Sequence, residues 1–495
     1  MTPSADLFDL IKALSTSEKR YFKIFASTMG GKEDSLYLKL FDEIDKMDVY
    51  DEVALIKRNK KEHFIKNLSG NKSYLFNSIL RALLEFSGDK SVSIQGQFQI
   101  AAVEVLFQKG LFDPCLKLIR KGKEHALRYE DYDTFDSLCN WETRVLARNG
   151  DYVNVLKIIE EQIQISKKKI EILTYKKHSV AIYNLASAFD QNGSVENLKR
   201  LEEIAAFFLQ KQPDISLGIV CHYYYYSSLS FYYEAKKNQE FRLLHCRNVF
   251  ELFNQYPHFF KANERMYSSA VNNLCSALLA QGNLKETKEK INDLKAFLER
   301  SSNTLKTEWK ASTLAKILTS EIVMHNMQEN YDFASDLNIE VELFLADYKK
   351  YLAKEDLWEV CFNISFVLFM DKQYDKALDF TLEILNSRAS KEWLKLYEIC
   401  RLFVLMIYFE QGQHKLLINS IDSTQKYFKR KGVSSPVINQ IMLYMKSIDK
   451  LDKGKKDLLK LKNLVENDLQ TNPDSILIKI NLKTWIERKE KEMAE

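Results

Sequence analysis

Residues 271–287 read VNNLCSALLAQGNLKET, and this stretch decides the fold. Apolar residues spaced three and four apart predict a helix up to Ala280. The polar turn Gln-Gly-Asn follows, and Leu284 begins a second apolar pattern. A helix, a short glycine turn and a returning helix are therefore encoded within 17 residues.

The same turn recurs along the chain. Lys-Gly-Leu-Phe, Asn-Gly-Asp-Tyr, Asn-Gly-Ser-Val and Gln-Gly-Gln-His share its shape, and three further turns replace the glycine. The last residues of the eight turns are Phe112, Tyr152, Val195, Phe241, Leu284, Tyr331, Tyr374 and His414, in steps of 40, 43, 46, 43, 47, 43 and 40. A period near 43 residues indicates a repeat array with two helices of about 15 to 20 residues per period.

Composition agrees with a helical array. Only 14 Gly and 6 Pro occur in 495 residues, while hydrophobic residues make up 46% of the chain. Turns must be few, and the apolar content is sufficient for a large core. We predict an all-α fold with an N-terminal helical bundle at residues 1–95, a repeat array of about eight helix pairs at 96–453, and a terminal helix pair with a polar capping helix at 454–495.

Three segments before the turns superpose without gaps. Ile182, Asn184, Leu185 and Ala186 match Val271, Asn273, Leu274 and Cys275, and these match Cys361, Asn363, Ile364 and Ser365. This pattern resembles the tetratricopeptide-repeat family, whose first helix carries an Asn-Leu-Gly motif and whose turn reads Gln-Gly-Asp-Tyr before an Ala. Gln281-Gly282-Asn283-Leu284 and Gln373-Tyr374-Asp375-Lys376-Ala377 are the best turn matches.

The resemblance covers roughly residues 96 to 490 and is strongest to long-helix members, such as cargo adaptors and bacterial peptide-receptor regulators. It implies a right-handed superhelical solenoid of antiparallel helix pairs whose first helices line a concave groove. HEAT-like repeats share the period and are the structural alternative.

Partner binding is the function that the resemblance implies, because a repeat array offers one long groove. Residues of the first helices that are out of phase with the packing stripe are expected to face it. These candidates are Tyr183, Asn184, Ser187, Tyr226, Tyr233, Asn272, Asn273, Ser276, Phe362, Asn363 and Phe366. An Asn at the place of Asn184, Asn273 and Asn363 holds the ligand backbone in peptide-clamping relatives. The alternative is that these amides only join neighbouring helices, and that the tyrosines of 221–233 are core residues.

Motifs for catalysis and metal binding are missing from the sequence. The eight histidines are scattered, and neither His-Glu-x-x-His nor a glycine-rich phosphate loop occurs. We therefore expect no enzyme activity, no metal and no cofactor. Seven scattered cysteines indicate buried reduced thiols.

Charge and hydropathy exclude further classes of protein. Lys plus Arg number 72 against 68 Asp plus Glu, and the longest apolar run has eight residues. We expect a cytoplasmic protein with a protein or peptide partner and no membrane segment. The oligomeric state stays open.

The first 95 residues allow two interpretations. A Ser-Thr-Ser-Glu start at Ser15 predicts a capped helix, and the segment as a whole predicts a bundle that caps the array. Alternatively it is a helical effector domain, controlled by a ligand-sensing array, that contacts DNA through a basic cluster. That cluster is Lys57, Arg58, Lys60, Lys61 and Lys66. Because acidic residues balance the basic ones, a solvated face is favoured over nucleic-acid binding.

Overall fold

The computed structural model describes residues 5–28, 34–88, 91–192, 195–300, 308–329, 331–387, 394–432, 435–447, 451–471 and 481–492. Within these ranges the secondary structure is helical, with no strand, as the composition predicts. None of the helices in these ranges has the length and apolar character that crossing a bilayer demands.

The first five helices form a bundle with its own core. They are α1 (Asp6–Ala13), α2 (Thr16–Thr28), α3 (Asp34–Asp45), α4 (Glu52–Arg58) and α5 (Leu68–Ser87), with a 3-10 turn at His63–Asn67. The buried residues of this core all lie between Leu7 and Ala82. The predicted start at Ser15 is confirmed, since the Ser15 N–H donates to Glu18 and the Glu18 N–H donates to the Ser15 hydroxyl.

The following helices run in sequence to the end of the chain. They are α6 (Val92–Gln108), α7 (Phe112–Arg128), α8 (Tyr132–Arg148), α9 (Tyr152–Asn192), α10 (Val195–Gln210), α11 (Ile219–Ala235), α12 (Gln239–Gln255), α13 (Pro257–Ala262), α14 (Glu264–Ala280), α15 (Leu284–Arg300), α16 (Glu308–Met327), α17 (Ala334–Tyr348), α18 (Lys354–Met370), α19 (Tyr374–Leu385), α20 (Leu394–Glu410), α21 (His414–Lys431), α22 (Pro436–Lys446), α23 (Leu451–Thr471) and α24 (Leu482–Glu492).

Neighbouring helices pack in pairs, and alternate helices also touch. α11 packs on α12 and α18 on α19, while α6 contacts α8, α9 contacts α11, and α14 contacts α16. α20 also contacts α9. The buried residues of α16 to α24 form one continuous core, whereas the earlier helices share several smaller ones.

One hydrogen-bonded turn ends many of these helices. A residue in the left-handed conformation closes helices at Gly110, Glu130, Gly150, Lys237, Gly282, Glu329, Lys372 and Gly412. At each of them its N–H donates to the carbonyl three residues earlier. At all but Glu329, which is followed by a residue outside the described ranges, the next N–H donates to the carbonyl five residues earlier. This is the Schellman motif, which satisfies the last carbonyls of the helix. A new helix begins two residues after each of these seven turns.

The observed helix starts agree with most of the predicted turn positions. Helices begin at the predicted Phe112, Tyr152, Val195, Leu284, Tyr374 and His414. At the other two markers the helix starts differ: α12 begins at Gln239, before Phe241, and α17 begins at Ala334, after Tyr331. Gly193, predicted in the third turn, lies outside the described residues.

The segment between Tyr152 and Asn192 departs from the predicted two helices per period. It is a single helix of 41 residues, α9, which corresponds to about 60 Å. No Gly or Pro interrupts these residues, so the backbone can continue its i to i−4 hydrogen bonds throughout. α9 packs on α8 and also on α10 and α11.

Candidate functional site

Four rings on α11 and α12 form a row. The centroids of Tyr226 and His245 are 6.2 Å apart, those of His245 and Tyr233 are 5.5 Å apart, and those of Tyr233 and Phe241 are 5.0 Å apart. Tyr226 and Tyr233 are seven residues apart on α11 and so share a face, which lies against α12. The two tyrosines are half-buried, whereas Phe241 is exposed.

His245 sits at the centre of this row as a neutral ring. Burial lowers the pKa of His245 to about 4, and its Nδ1 has no hydrogen-bond partner. Because the imidazole stays neutral near pH 7, it stacks between the two tyrosines without placing a charge among the rings. The row is therefore an apolar platform with polar tips rather than an acid–base centre.

An open cleft of about 590 Å³ borders Tyr226. Its walls come from the turn between α7 and α8, the start of α11, the end of α12 and the start of α13. Arg128, His222, Glu251 and His258 line it with polar groups, together with the apolar Leu127, Ile215, Ile219 and Leu252. His222 Nδ1 lies 2.7 Å from the Gly218 carbonyl oxygen, which orients the imidazole.

Glu130 joins two distant parts of the chain beneath this cleft. Its carboxylate accepts hydrogen bonds from the N–H groups of Ile219, at 2.6 Å, and Val220, at 3.0 Å. It thereby caps the N-terminus of α11 from the turn after α7. Gly218 is required here, because a Cβ at that position would overlap the Glu130 carboxylate.

The sequence reasoning missed this cap. A signal was present, since Glu130 stands midway between Gly110 and Gly150, twenty residues from each, at the position that glycine occupies in those two turns. A glutamate in a left-handed conformation is unusual and points to a role of its side chain. The identity of its partner, 89 residues away, was not readable from that signal.

The candidates on α9 lie at the surface. Tyr183, Asn184 and Ser187 are all exposed. The ring of Tyr183 packs edge-on against Phe231 of α11, with 5.2 Å between centroids. The structure therefore brings Tyr183 to the helix that carries the aromatic row.

The candidates on α14 are more involved in packing. Asn272 and Asn273 are half-buried, and the backbone carbonyl of Asn273 accepts from the Cys246 thiol at 3.8 Å. The hydroxyl of Ser276 accepts from Arg242 at 2.9 Å. Arg242 is buried and also pairs with Glu234 at 2.7 Å. Ser276 thus helps to hold a buried guanidinium between α12 and α14.

On α18 the structure corrects the prediction of groove-facing residues. Phe362 and Phe366 are only 7% and 3% exposed, and their rings contact Phe403 of α20. They belong to the core because α20 contributes to the same cluster and covers this face of α18. The Asn363 side chain donates to the Glu359 carbonyl at 2.8 Å, so its amide is satisfied within its own helix.

Potential reactive groups are enclosed. All seven cysteines are buried free thiols, and burial raises the pKa of Cys221 and of Cys361 to about 12. Over the described part of the chain, no three His, Cys, Asp or Glu side chains are grouped so that they could hold a metal ion. A thiol whose pKa is raised in this way stays protonated near pH 7 and is not an activated nucleophile.

No family model and no curated protein matches this chain.

Proposed function

We propose that this protein is a non-enzymatic scaffold whose helix pairs stack into a right-handed superhelix of the tetratricopeptide type. Contacts between alternate helices and the shared turn at seven helix ends support this architecture. In such an array, each pair buries its apolar face against the next and leaves an extended surface for a partner.

The partner in this proposal is a peptide or an exposed segment of another protein. The observation that carries it is the aromatic row that ends at the open cleft beside Tyr226. Rings with polar tips bury a large area with little loss of side-chain freedom, and they are enriched at binding surfaces. Arg128 at the cleft supplies a positive group for carboxylate or carbonyl oxygens.

A photo-crosslinking experiment tests this function. A photoreactive phenylalanine at Tyr226 should capture the protein that co-purifies with the chain, whereas the same group at the exposed Tyr74 of the N-terminal bundle should not. The double variant Tyr226→Ala/Tyr233→Ala should lose that protein, and Tyr74→Ala should retain it. If the double variant retained the co-purifying protein and Tyr226 gave no crosslink, the partner would bind at another surface.

A second candidate is a regulator in which the array controls the N-terminal bundle. The separate core of α1 to α5 favours it, as does the exposure of Lys57, Arg58, Lys60, Lys61 and Lys66. A gel shift of the full chain with duplex DNA at low salt tests the nucleic-acid version. Binding that Lys57→Glu/Lys61→Glu weakens would support it, and no shift at micromolar protein would remove it.

A further inference from the structure

α9 carries an apolar stripe on its solvent side. Seven large apolar residues that share this side of the helix are between 41% and 68% exposed. They are Tyr152, Leu156, Ile159, Ile163, Ile170, Leu173 and Val180. Single exposed apolar residues are normal on a protein surface, whereas a row of seven along one helix is not.

The spacing of the stripe is that of a coiled-coil seam. Steps of four and three lead from Tyr152 through Leu156 and Ile159 to Ile163, and then through Ser166 to Ile170 and Leu173. This alternation is the a and d pattern of the heptad repeat. The residues that α9 buries against its own chain, among them Ile158, Ile172 and Ile182, lie on the opposite side of the helix. α9 therefore has one face for the core and a second face with the pattern of a helix–helix interface.

The stripe is large enough for a specific contact. The part of it from Tyr152 to Lys177 spans 26 residues, or about 39 Å of helix. The exposed side chains present several hundred Å² of apolar surface, which approaches the area that one partner contributes to a standard interface.

The seam is complementary to itself when two copies run in opposite directions. With a two-fold axis between residues 164 and 165, Leu156 of one copy lies opposite Leu173 of the other, and Ile159 lies opposite Ile170. The two polar positions are also accommodated. Ser166 faces Ile163 beside the axis, and Lys177 faces the ring of Tyr152, a favourable cation–π arrangement.

Charges beside the seam select the same orientation. In that register Glu160 of one copy lies next to Lys167 of the other, and the symmetry repeats this pair. Residues 166–184 contain five lysines and one glutamate, whereas residues 152–165 contain one lysine and two glutamates. A parallel pair would place the two lysine-rich halves side by side, which like-charge repulsion disfavours.

We propose that a second copy of this chain docks on the α9 stripe and forms an antiparallel, two-fold symmetric coiled-coil dimer. The contact is isologous, so it closes on itself and does not propagate into a filament.

The first test is the mass of the full chain in solution, measured by light scattering and sedimentation velocity across the micromolar range. We expect a dimer of twice 58.0 kDa. Ile170→Lys should convert it to a folded monomer. The matched control is Ile215→Lys, since Ile215 is 86% exposed but lies outside α9, and it should leave the dimer intact. A monomeric wild type, or a dimer that survives Ile170→Lys, would overturn the proposal.

The second test reverses charges beside the seam. A mixture of the two variants described below also serves as the control that each variant is folded. Glu160→Lys and Lys167→Glu should each weaken the homodimer, by roughly tenfold in dissociation constant. An equimolar mixture of the two variants should pair as well as the wild type, because each Lys then meets a Glu. Failure of the mixture to restore association would contradict the assigned register.

The third test reads orientation directly. Under mild oxidation Leu156→Cys/Leu173→Cys should form a disulfide between two chains, whereas Leu156→Cys alone should not. A crosslink with Leu156→Cys alone would indicate a parallel pair and overturn the antiparallel arrangement.

Discussion

Replacement of Glu130 by glycine should separate two opposing effects at one position. The backbone of Glu130 is left-handed, with φ of 55°, a conformation that costs a non-glycine residue about 1 kcal/mol or more. Glycine removes this cost. It also removes the carboxylate that accepts from the N–H groups of Ile219 and Val220.

The loss should exceed the gain. A hydrogen bond to a charged group contributes about 1.5 to 3 kcal/mol, and the lower value applies here because the site borders an open cleft. Two such bonds then contribute about 3 kcal/mol, against which glycine recovers about 1 kcal/mol. We expect Glu130→Gly to destabilise the start of α11 by about 2 kcal/mol.

The chain offers a matched control in Lys372. It has the same turn and a left-handed backbone with φ of 64°, and its side chain is exposed. Lys372→Gly therefore only removes the cost of the left-handed backbone conformation. It should stabilise its surroundings by about 1 kcal/mol. Glu130→Gln keeps one acceptor oxygen and should fall between Glu130→Gly and the wild type.

Native-state hydrogen exchange with peptide resolution is the appropriate measurement. The separate cores need not unfold together, so a single denaturant curve for 495 residues would mix several transitions. A peptide that covers residues 219–226 should exchange roughly 30-fold faster in Glu130→Gly and at the wild-type rate in Lys372→Gly. If Glu130→Gly left this peptide as protected as the wild type, the cap would contribute nothing and the reasoning would be refuted.

Three further outcomes are expected. The Glu410 side chain is only 6% exposed and accepts from Trp485 at 2.6 Å and Lys489 at 2.8 Å. Glu410→Ala should therefore cost about 3 to 5 kcal/mol and expose α24 to limited proteolysis. Glu202→Ala, which removes a surface pair, should cost less than about 1 kcal/mol and leave α24 resistant to the same protease. Because the pKa of His245 is lowered to about 4 in the fold, the unfolded chain binds its proton first. Stability should fall as pH drops below about 6.5, by about 1 kcal/mol at pH 5.5, and His245→Phe should remove that part of the pH dependence, measured by hydrogen exchange of peptides from α12. Gly122→Ala should destabilise the α7–α8 contact by about 1 to 3 kcal/mol, measured by hydrogen exchange of peptides from α7, because a Cβ there would lie 2.7 Å from the side chain of the fully buried Leu138.

Hydrogen bonds between near neighbours explain why many helix boundaries were predictable. The turn at Gly282 depends on bonds to Leu278 and Leu279, all within a few residues. A hydrogen bond between residues three apart likewise sets the start of α2 at the Ser15 cap. Where glycine is replaced, as at Lys237, the position of the turn was misjudged by two residues, because the pattern no longer marks the left-handed residue.

The candidate site was less predictable, because exposure depends on residues distant in sequence. Phe362 and Tyr183 occupy matching positions in their helices, yet the first is buried and the second exposed. Helix periodicity separates faces, but it does not say whether a further helix will cover a given face. α20 covers that face of α18, and its contribution is not encoded near Phe362.

The sequence by itself determined the all-α class, the recurring turn and most helix starts, because each depends on interactions within about six residues. The tertiary structure alone decided three other features: the cap from Glu130 to α11, the burial of Phe362 and Phe366, and the exposure of the α9 stripe. Each of these three features depends on which helices pack against each other. That choice is made by the summed burial of apolar faces over the whole chain and not by any local pattern.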